Sequence, residues 1–393
     1  MSETLVDDYL KLGLALGRHI DGLVDAYYGP AELADQAAAG PPESPSSLAD
    51  KGRRLLGDLA VDGELGASRR AWLAAQVRGL YTTARKLAGE QISYLDEIED
   101  SYGVRPRMVP EDELSEAHKR IDEVLPGSGR LEERYVAWRE KQVVPADLLG
   151  RAVDSLAEDF RERTGKAFGL PEGERVDFEL VTNKPWSGFN YYLGGLRSKV
   201  AINVDLPVPS TNLGPLVAHE AYPGHHTEHC RKEVGLVRQR SQLEETIFLV
   251  GTPQCLLAEG LADLGIEVIA GRRPEPVVAE HLKPLGIPYD PGLVGHLAVA
   301  GEALGAVRGN AAILIHDRGM EPTEAVDYIA RWGLLPTARA EKMVEFLVDP
   351  TWRAYVFCYI EGVRLCRAYV SGDPARFQRL VTEQVTTAEL VAA

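Results

Sequence analysis

Apolar side chains return every three or four positions through most of this chain, the spacing that gathers them on one face of a helix. Leu10, Leu14, Leu16 and Ile20 set such a face over residues 5–27, and Tyr28-Gly29-Pro30 is a stop signal. The Pro/Ser-rich stretch 40–47 reads as a surface connection in which Ser46 or Ser47 caps the next helix. Helices are predicted at about 47–59, 68–87, 110–124, 131–141 and 146–164.

The pattern changes after Gly169. Residues 176–181 (VDFELV) alternate with period two, and 189–193 and 199–206 do the same across the Gly194-Gly195 turn. This is the one β-region the sequence predicts. Helical periodicity then resumes at about 241–250, 254–270, 294–318, 323–332, 338–347 and 352–370. No repeat, low-complexity tract or separating linker interrupts the chain. The expectation is a mainly α protein forming one domain over 1–393, with an N-terminal helical part (1–170) and a second part (171–393) holding a small sheet.

A formal charge of −16 argues against a nucleic-acid partner, which needs a basic face to neutralise phosphates. The four cysteines form no CxxC pair, so a thiolate metal site or a disulfide framework is not expected. The first residues lack the basic and apolar segments of a signal peptide, and no run reaches the ~18 apolar residues of a membrane span. The expected compartment is the cytosol, with no membrane partner.

The chemistry concentrates in one place. Four of the nine histidines, His219, His225, His226 and His229, fall between residues 219 and 229, and neutral imidazole is the commonest protein ligand for zinc. In the HExxH arrangement two histidines at i and i+4 share a helix face and the intervening Glu acts as base. Here position i+4 from His219 is Pro223, and the next histidines lie at i+6 and i+7. Pro223-Gly224 breaks the helix and can return a later histidine to the first. His225 is the favoured second ligand and His226 the close alternative, free otherwise to touch substrate. Glu220 is the expected general base for water activated at a metal. His229, beyond the break, is expected to be solvated or to support a ligand.

The third ligand expected is Glu259, on a stretch apolar nearly all round, where a carboxylate needs a charge partner or a metal. Asp263, one turn later, is placed to hold a ligand imidazole by its free N–H. Asn212 is expected to cap the first ligand's helix.

His219-Glu220-Ala221-Tyr222-Pro223-Gly224-His225-His226 resembles the HExxPGHH signature of a bacterial family catalogued as domain of unknown function 885. That family is similar in fold and site to helical Glu-zincins such as the thermostable carboxypeptidases and the oligopeptidases. The resemblance extends to Asp25-Ala26-Tyr27-Tyr28-Gly29-Pro30, to Glu259-Gly260, and to Ile313-Leu314-Ile315-His316 ahead of Glu321-Pro322-Thr323-Glu324-Ala325. The family's Glu-Gly-Trp is Glu-Gly-Leu here, and its late Pro-Gly-Gln-Ala-x-x-Tyr-x-x-Gly survives as Phe357-Cys358-Tyr359-Ile360-Glu361-Gly362.

The resemblance implies a large helical zincin-like body with the sheet next to the HExxPGHH helix. It also implies Tyr359 as a phenol that stabilises a developing oxyanion and a substrate-binding role for His316. Arg353 or Arg364 would hold a substrate carboxylate, and Asn203 with its strand would run along an extended substrate as an edge strand does.

The functional expectation is a hydrolase of an amide or acyl bond, using one Zn²⁺ ion (or another divalent metal) on a peptide or small amide-like substrate. Two other readings use the same residues. One is a non-haem iron enzyme with two histidines and a carboxylate; the other is a non-catalytic helical protein with a closed structural metal site.

Overall fold

The computed structural model describes residues 2–184 and 186–392. Helices dominate, and the short strands form two small sheets. The first helix, Ser2–Gly17, packs with Pro45–Val61 and Ala67–Leu87 around Tyr9, Leu10, Leu16, Leu48, Trp72 and Leu80. It stops ten residues before the predicted end at Tyr27. Gly17 is the reason: a Cβ there would meet Val24 Cγ2 at 2.7 Å, because the chain doubles back at once into strand β1, Val24–Tyr27. Helix Pro45–Val61 is capped by Ser44, whose side chain accepts from the Ser47 amide, so neither Ser46 nor Ser47 is the cap.

Strands β2 (Arg175–Val181), β3 (Gly188–Tyr192) and β4 (Arg197–Asn203) match the predicted β-region. Their order is β2-β4-β3, with β2 parallel and β3 antiparallel to β4. Asn203 therefore lies on the central strand, paired on both sides, and its carboxamide donates to the carbonyls of Lys184 and Trp186. It has no free edge along which a substrate could extend. One sheet face packs Val200 and Ile202 against Leu156 and Phe160 of helix Ala146–Phe168 and Leu213 and Val217 of helix Ser210–Glu220.

The second sheet was not expected. Strand β5, Ile247–Leu249, pairs antiparallel with β1 inside the stretch predicted as a helix over 241–250. Ser241 turns there at φ 54°, and Ile-Phe-Leu is a short apolar run that periodicity cannot assign to helix or strand. The helix predicted over 294–318 is broken at Gly301 into Pro291–Ala300 and, after the tight turn Glu302–Ala306, Val307–Arg318, with the segments Pro291–Ala300 and Glu302–Arg318 inclined at 56°. That predicted over 352–370 is a turn, a wide π-type turn at Cys358–Gly362, and then helix Val363–Val370. Among the described residues no single helix is long and apolar enough to cross a membrane.

Candidate metal centre

Helix Ser210–Glu220 delivers His219 and Glu220 on its last turn. It begins two residues before Asn212, which lies inside the first turn, and Ser210 fastens the start by donating to the Pro288 carbonyl. At Ala221 the backbone leaves helical geometry, and a new helix, His225–Lys232, follows. The Gly224 amide reaches back to the Ala218 carbonyl at 2.9 Å, and a Cβ on Gly224 would sit 1.8 Å from the His219 carbonyl oxygen. Only glycine permits so tight a return. It brings His225 Nε2 to 3.0 Å from His219 Nε2, the outcome expected of the Pro-Gly break.

The carboxylate comes from helix Pro253–Ala270, buried along most of its length. Glu259 Oε2 lies 3.3 Å from His219 Nε2, and Oε1 lies 3.4 Å from His225 Nε2. Ligand atoms of His219, His225 and Glu259 all fall within 4.8 Å of one another. Neighbouring donors on a tetrahedral zinc with ~2.0–2.1 Å bonds are about 3.3 Å apart, so these separations suit one ion. A second observation concerns Glu259: its buried Oε2 forms no hydrogen bond, His219 Nε2 facing it at 3.3 Å, and a cation held between them would satisfy it. The other oxygen, Oε1, accepts from the Tyr355 hydroxyl at 2.8 Å.

Asp263 Oδ1 sits 2.7 Å from His219 Nδ1, fixing the ring so that Nε2 faces the group. Burial disfavours the imidazolium of His219, but Asp263 and Glu259 outweigh it and hold the pKa well above the usual value. His225 is also raised, because Glu259 overrides its burial. Burial would raise Glu259, yet the two histidines pull it below the ordinary carboxylate range. Glu220, buried beside them, is raised chiefly by desolvation. Its backbone carbonyl accepts from the Asn190 carboxamide at 2.6 Å, which ties β3 to the end of the ligand helix.

The other expected residues divide. Tyr359 is near, its ring 6.5 Å from that of His219 and edge-on to Tyr355. His226 is not brought to the group: its Nε2 is 2.8 Å from Glu174 Oε2 and its Nδ1 2.8 Å from Ser198 Oγ. One residue further round the new helix than His225, it points into the body of the protein, where Tyr222 also donates to Glu174. His229 is buried and stacked on Tyr192, not solvated. His316 Nε2 lies 2.6 Å from the Leu347 carbonyl and its ring lies on Tyr94. Arg353 is engaged by Glu97, and the largely exposed Arg364 by Glu361 at 2.7 Å, so each guanidinium already has one carboxylate partner within the protein.

Two residues of the site carried no signal of their own. Tyr355 lies in a turn read as helix, where the phase of side chains could not be followed. Asp25 stood inside the quoted N-terminal motif without an assigned role, and sits where Glu220, Glu259 and His225 act on it. Burial first, then the two carboxylates, push its pKa up to about 7 against the pull of His225. A row of rings, Trp186 stacked on Phe189 at 5.5 Å and Phe189 tilted against Tyr191 at 4.6 Å, leads into and along the strand that Asn190 anchors.

No family model matches the chain, and no curated protein matches it. Solved structures do share its fold. One, from Colwellia psychrerythraea and described as a "putative lipoprotein", is 16% identical with a TM-score of 0.51, over 89% of this chain and 66% of that one. Another, from Shewanella oneidensis and described as a "putative lipoprotein of unknown function", is 13% identical with a TM-score of 0.51, over 91% of this chain and 75% of that one. At such identities the likeness is one of fold.

Proposed function

We propose that the protein is a zinc-dependent hydrolase, peptidase-like in its chemistry, acting on an amide or related acyl bond of a peptide or small amide-like substrate. The observation that carries this reading is the convergence of His219, His225 and Glu259, with the Glu259 oxygen left without a hydrogen bond and Glu220 adjacent in sequence. These three residues would hold the ion. When bound, zinc supplies Lewis acidity toward a carbonyl oxygen and makes water more acidic.

The chain's own groups do the rest. Glu220, made more basic than an ordinary carboxylate by burial, takes the proton from attacking water and passes it to the leaving nitrogen. Asp263 keeps His219 in the tautomer whose Nε2 lone pair faces inward, and Tyr355 occupies one Glu259 oxygen so that the other is presented. The Tyr359 phenol would donate to charge developing on the substrate oxygen. The resemblance of the His219–His226 stretch to the HExxPGHH family agrees with this assignment.

Three protein ligands leave a position for substrate or water, whereas a closed structural site takes four. Among the described residues no fourth His, Cys, Asp or Glu joins the group. The iron reading shares the donor set, and Glu220 separates it, since an oxygenase needs no base there. The purified protein is expected to carry about one zinc per chain. Glu220→Gln is expected to keep the metal and lose about 10²–10⁴ of its hydrolysis of a defined peptide pool, read by mass spectrometry. A wild type that takes up no zinc, or a Glu220→Gln variant as active as wild type, would sink the reading.

A further inference from the structure

We infer that Arg308 is the anion anchor of this site, and that the substrate carries a free carboxylate beside the bond to be cleaved, as in an acyl–amino acid end group. The inference rests on the hydrolase reading and adds the class of substrate to it.

Arginines in this protein are usually spoken for where they are shielded from water. Arg69 is held by Glu244 at 2.6 Å, Arg353 by Glu97, and Arg134 by Asp122 and the Leu125 carbonyl. Arg308 is half-buried, yet no carboxylate or carbonyl pairs with it among the described residues. Among the described half-buried arginines Arg139, over the Tyr135 ring at 5.9 Å, is the other one with no such partner, and its helix, Leu131–Lys141, supplies nothing to the metal group. What it touches is the Tyr359 ring, with its guanidinium carbon 4.8 Å from the ring centroid. That same ring lies next to His219.

Close packing sets this arrangement. Arg308 is on the first turn of helix Val307–Arg318, after the break at Gly301 has redirected the chain. The next residue, Gly309, lets the helix close on the Cys358–Gly362 turn: a Cβ there would meet Ile360 Cδ1 at 2.6 Å and Phe357 Cε1 at 3.1 Å. Tyr359 sits on that turn, so one close packing sets both the ring and the guanidinium above it. Stacking on the ring face also uses little of the guanidinium's hydrogen-bonding capacity, so its edge N–H groups stay available.

The centre itself is rich in negative charge, with Glu220, Glu259, Asp263 and Asp25 close together. An anionic ligand end would be repelled by that cluster and needs a cation of its own. A planar fork of N–H donors suits a carboxylate in bidentate fashion. An α-carboxylate on the leaving amine would place itself on Arg308 while the adjacent amide faces Glu220. The C-terminus of a peptide and a small N-acyl amino acid share this end group.

The test uses the zinc-loaded full chain and two probes, 2-benzylsuccinate, which has a carboxylate for the metal and a second for a cation, and 3-phenylpropanoate, which has only the first. Calorimetry is expected to show wild type binding the dicarboxylate about ten- to a hundred-fold more tightly. Arg308→Ala is expected to abolish that preference while leaving 3-phenylpropanoate and zinc content unchanged, and Arg308→Lys to restore only part of it. A wild type that binds both probes alike, or an Arg308→Ala variant that keeps the preference, overturns the anchor while the metal reading stands. Failure of wild type to take up zinc overturns the metal reading instead. Competition by N-benzoyl-glycine but not by a tetrapeptide identifies the small-molecule source of the end group, and the reverse identifies the peptide; competition by neither overturns the inference.

Discussion

Glu259 shows how much of a site one side chain can organise, and how unevenly its two oxygens are used. Tyr355 donates to Oε1, while Oε2 is buried without a hydrogen bond. Removing the phenol oxygen should free the carboxylate to rotate rather than unfold anything. Tyr355→Phe is therefore expected to weaken zinc binding by about ten-fold, measured by competition with a chelator, with little change in thermal stability. Asp263→Asn is expected to cost about 10–100-fold in the same assay, because the amide no longer accepts strongly from His219 Nδ1. Equal zinc affinity in wild type and both variants would show that neither residue supports the ligands. The convergence of His219, His225 and Glu259 was legible because metal-ligand chemistry predicts particular side chains at particular separations, and the Pro-Gly break explained the odd spacing. His226 was not separable from His225 by spacing. Its fate was decided by Glu174 and Ser198, distant in sequence and carrying no mark of the contact.

At the scale of elements, the centre depends on two segments that touch through glycine. Gly260, next to Glu259, lies so close to Gly362 that a Cβ on it would meet the Gly362 carbonyl carbon at 2.2 Å. Both neighbours are backbone, so a rotamer change cannot relieve the clash. Gly260→Ala is expected to cost about 1–3 kcal/mol or more in chemical denaturation and to weaken zinc binding at the same time, since Glu259 and the Tyr355–Tyr359 turn move apart together. A variant as stable as wild type would mean the two segments shift freely. Helices with plain amphipathic faces were legible: Glu111–Val124 and Pro322–Gly333 lie within a residue of their expected limits. The elements that were not legible are those whose shape is set by a partner. Strand β5 exists because β1 runs beside it, and the break at Gly301 falls within continuous helical periodicity. The π-type turn at Cys358–Gly362 is shaped by the helix it packs on, a contact no local pattern records.

Across the whole molecule the N-terminal helices and the ligand helices meet over buried charge, which makes stability depend on pH in a specific direction. Ile247 and Leu249 of β5 complete the N-terminal core, so residues 1–170 lack part of their own interior, and one cooperative transition is expected in calorimetry. At this junction Arg69 bonds Glu244, and Gln254 donates to Glu245 while its amide is held by Gln76. Glu245 is buried there, and desolvation first, with Glu244 and Glu228 adding, raises its pKa from 4.5 to about 7 despite Lys232. A carboxyl group raised in the folded state binds its proton more tightly there than in the unfolded chain. Its contribution to stability is complete below about pH 4.5, falls as pH rises, and is lost above about 7. The size of the effect is on the order of 3 kcal/mol if the group titrates alone. Glu245→Gln removes the titration while keeping the shape and the ability to hydrogen-bond Gln254. Wild type is expected to lose stability between pH 5 and 7 relative to Glu245→Gln, with the two denaturation midpoints drawing together toward about pH 4.5. Parallel pH profiles would show instead that Glu245 is ionised throughout, its charge carried by Lys232, and that the buried junction is a fixed ion pair.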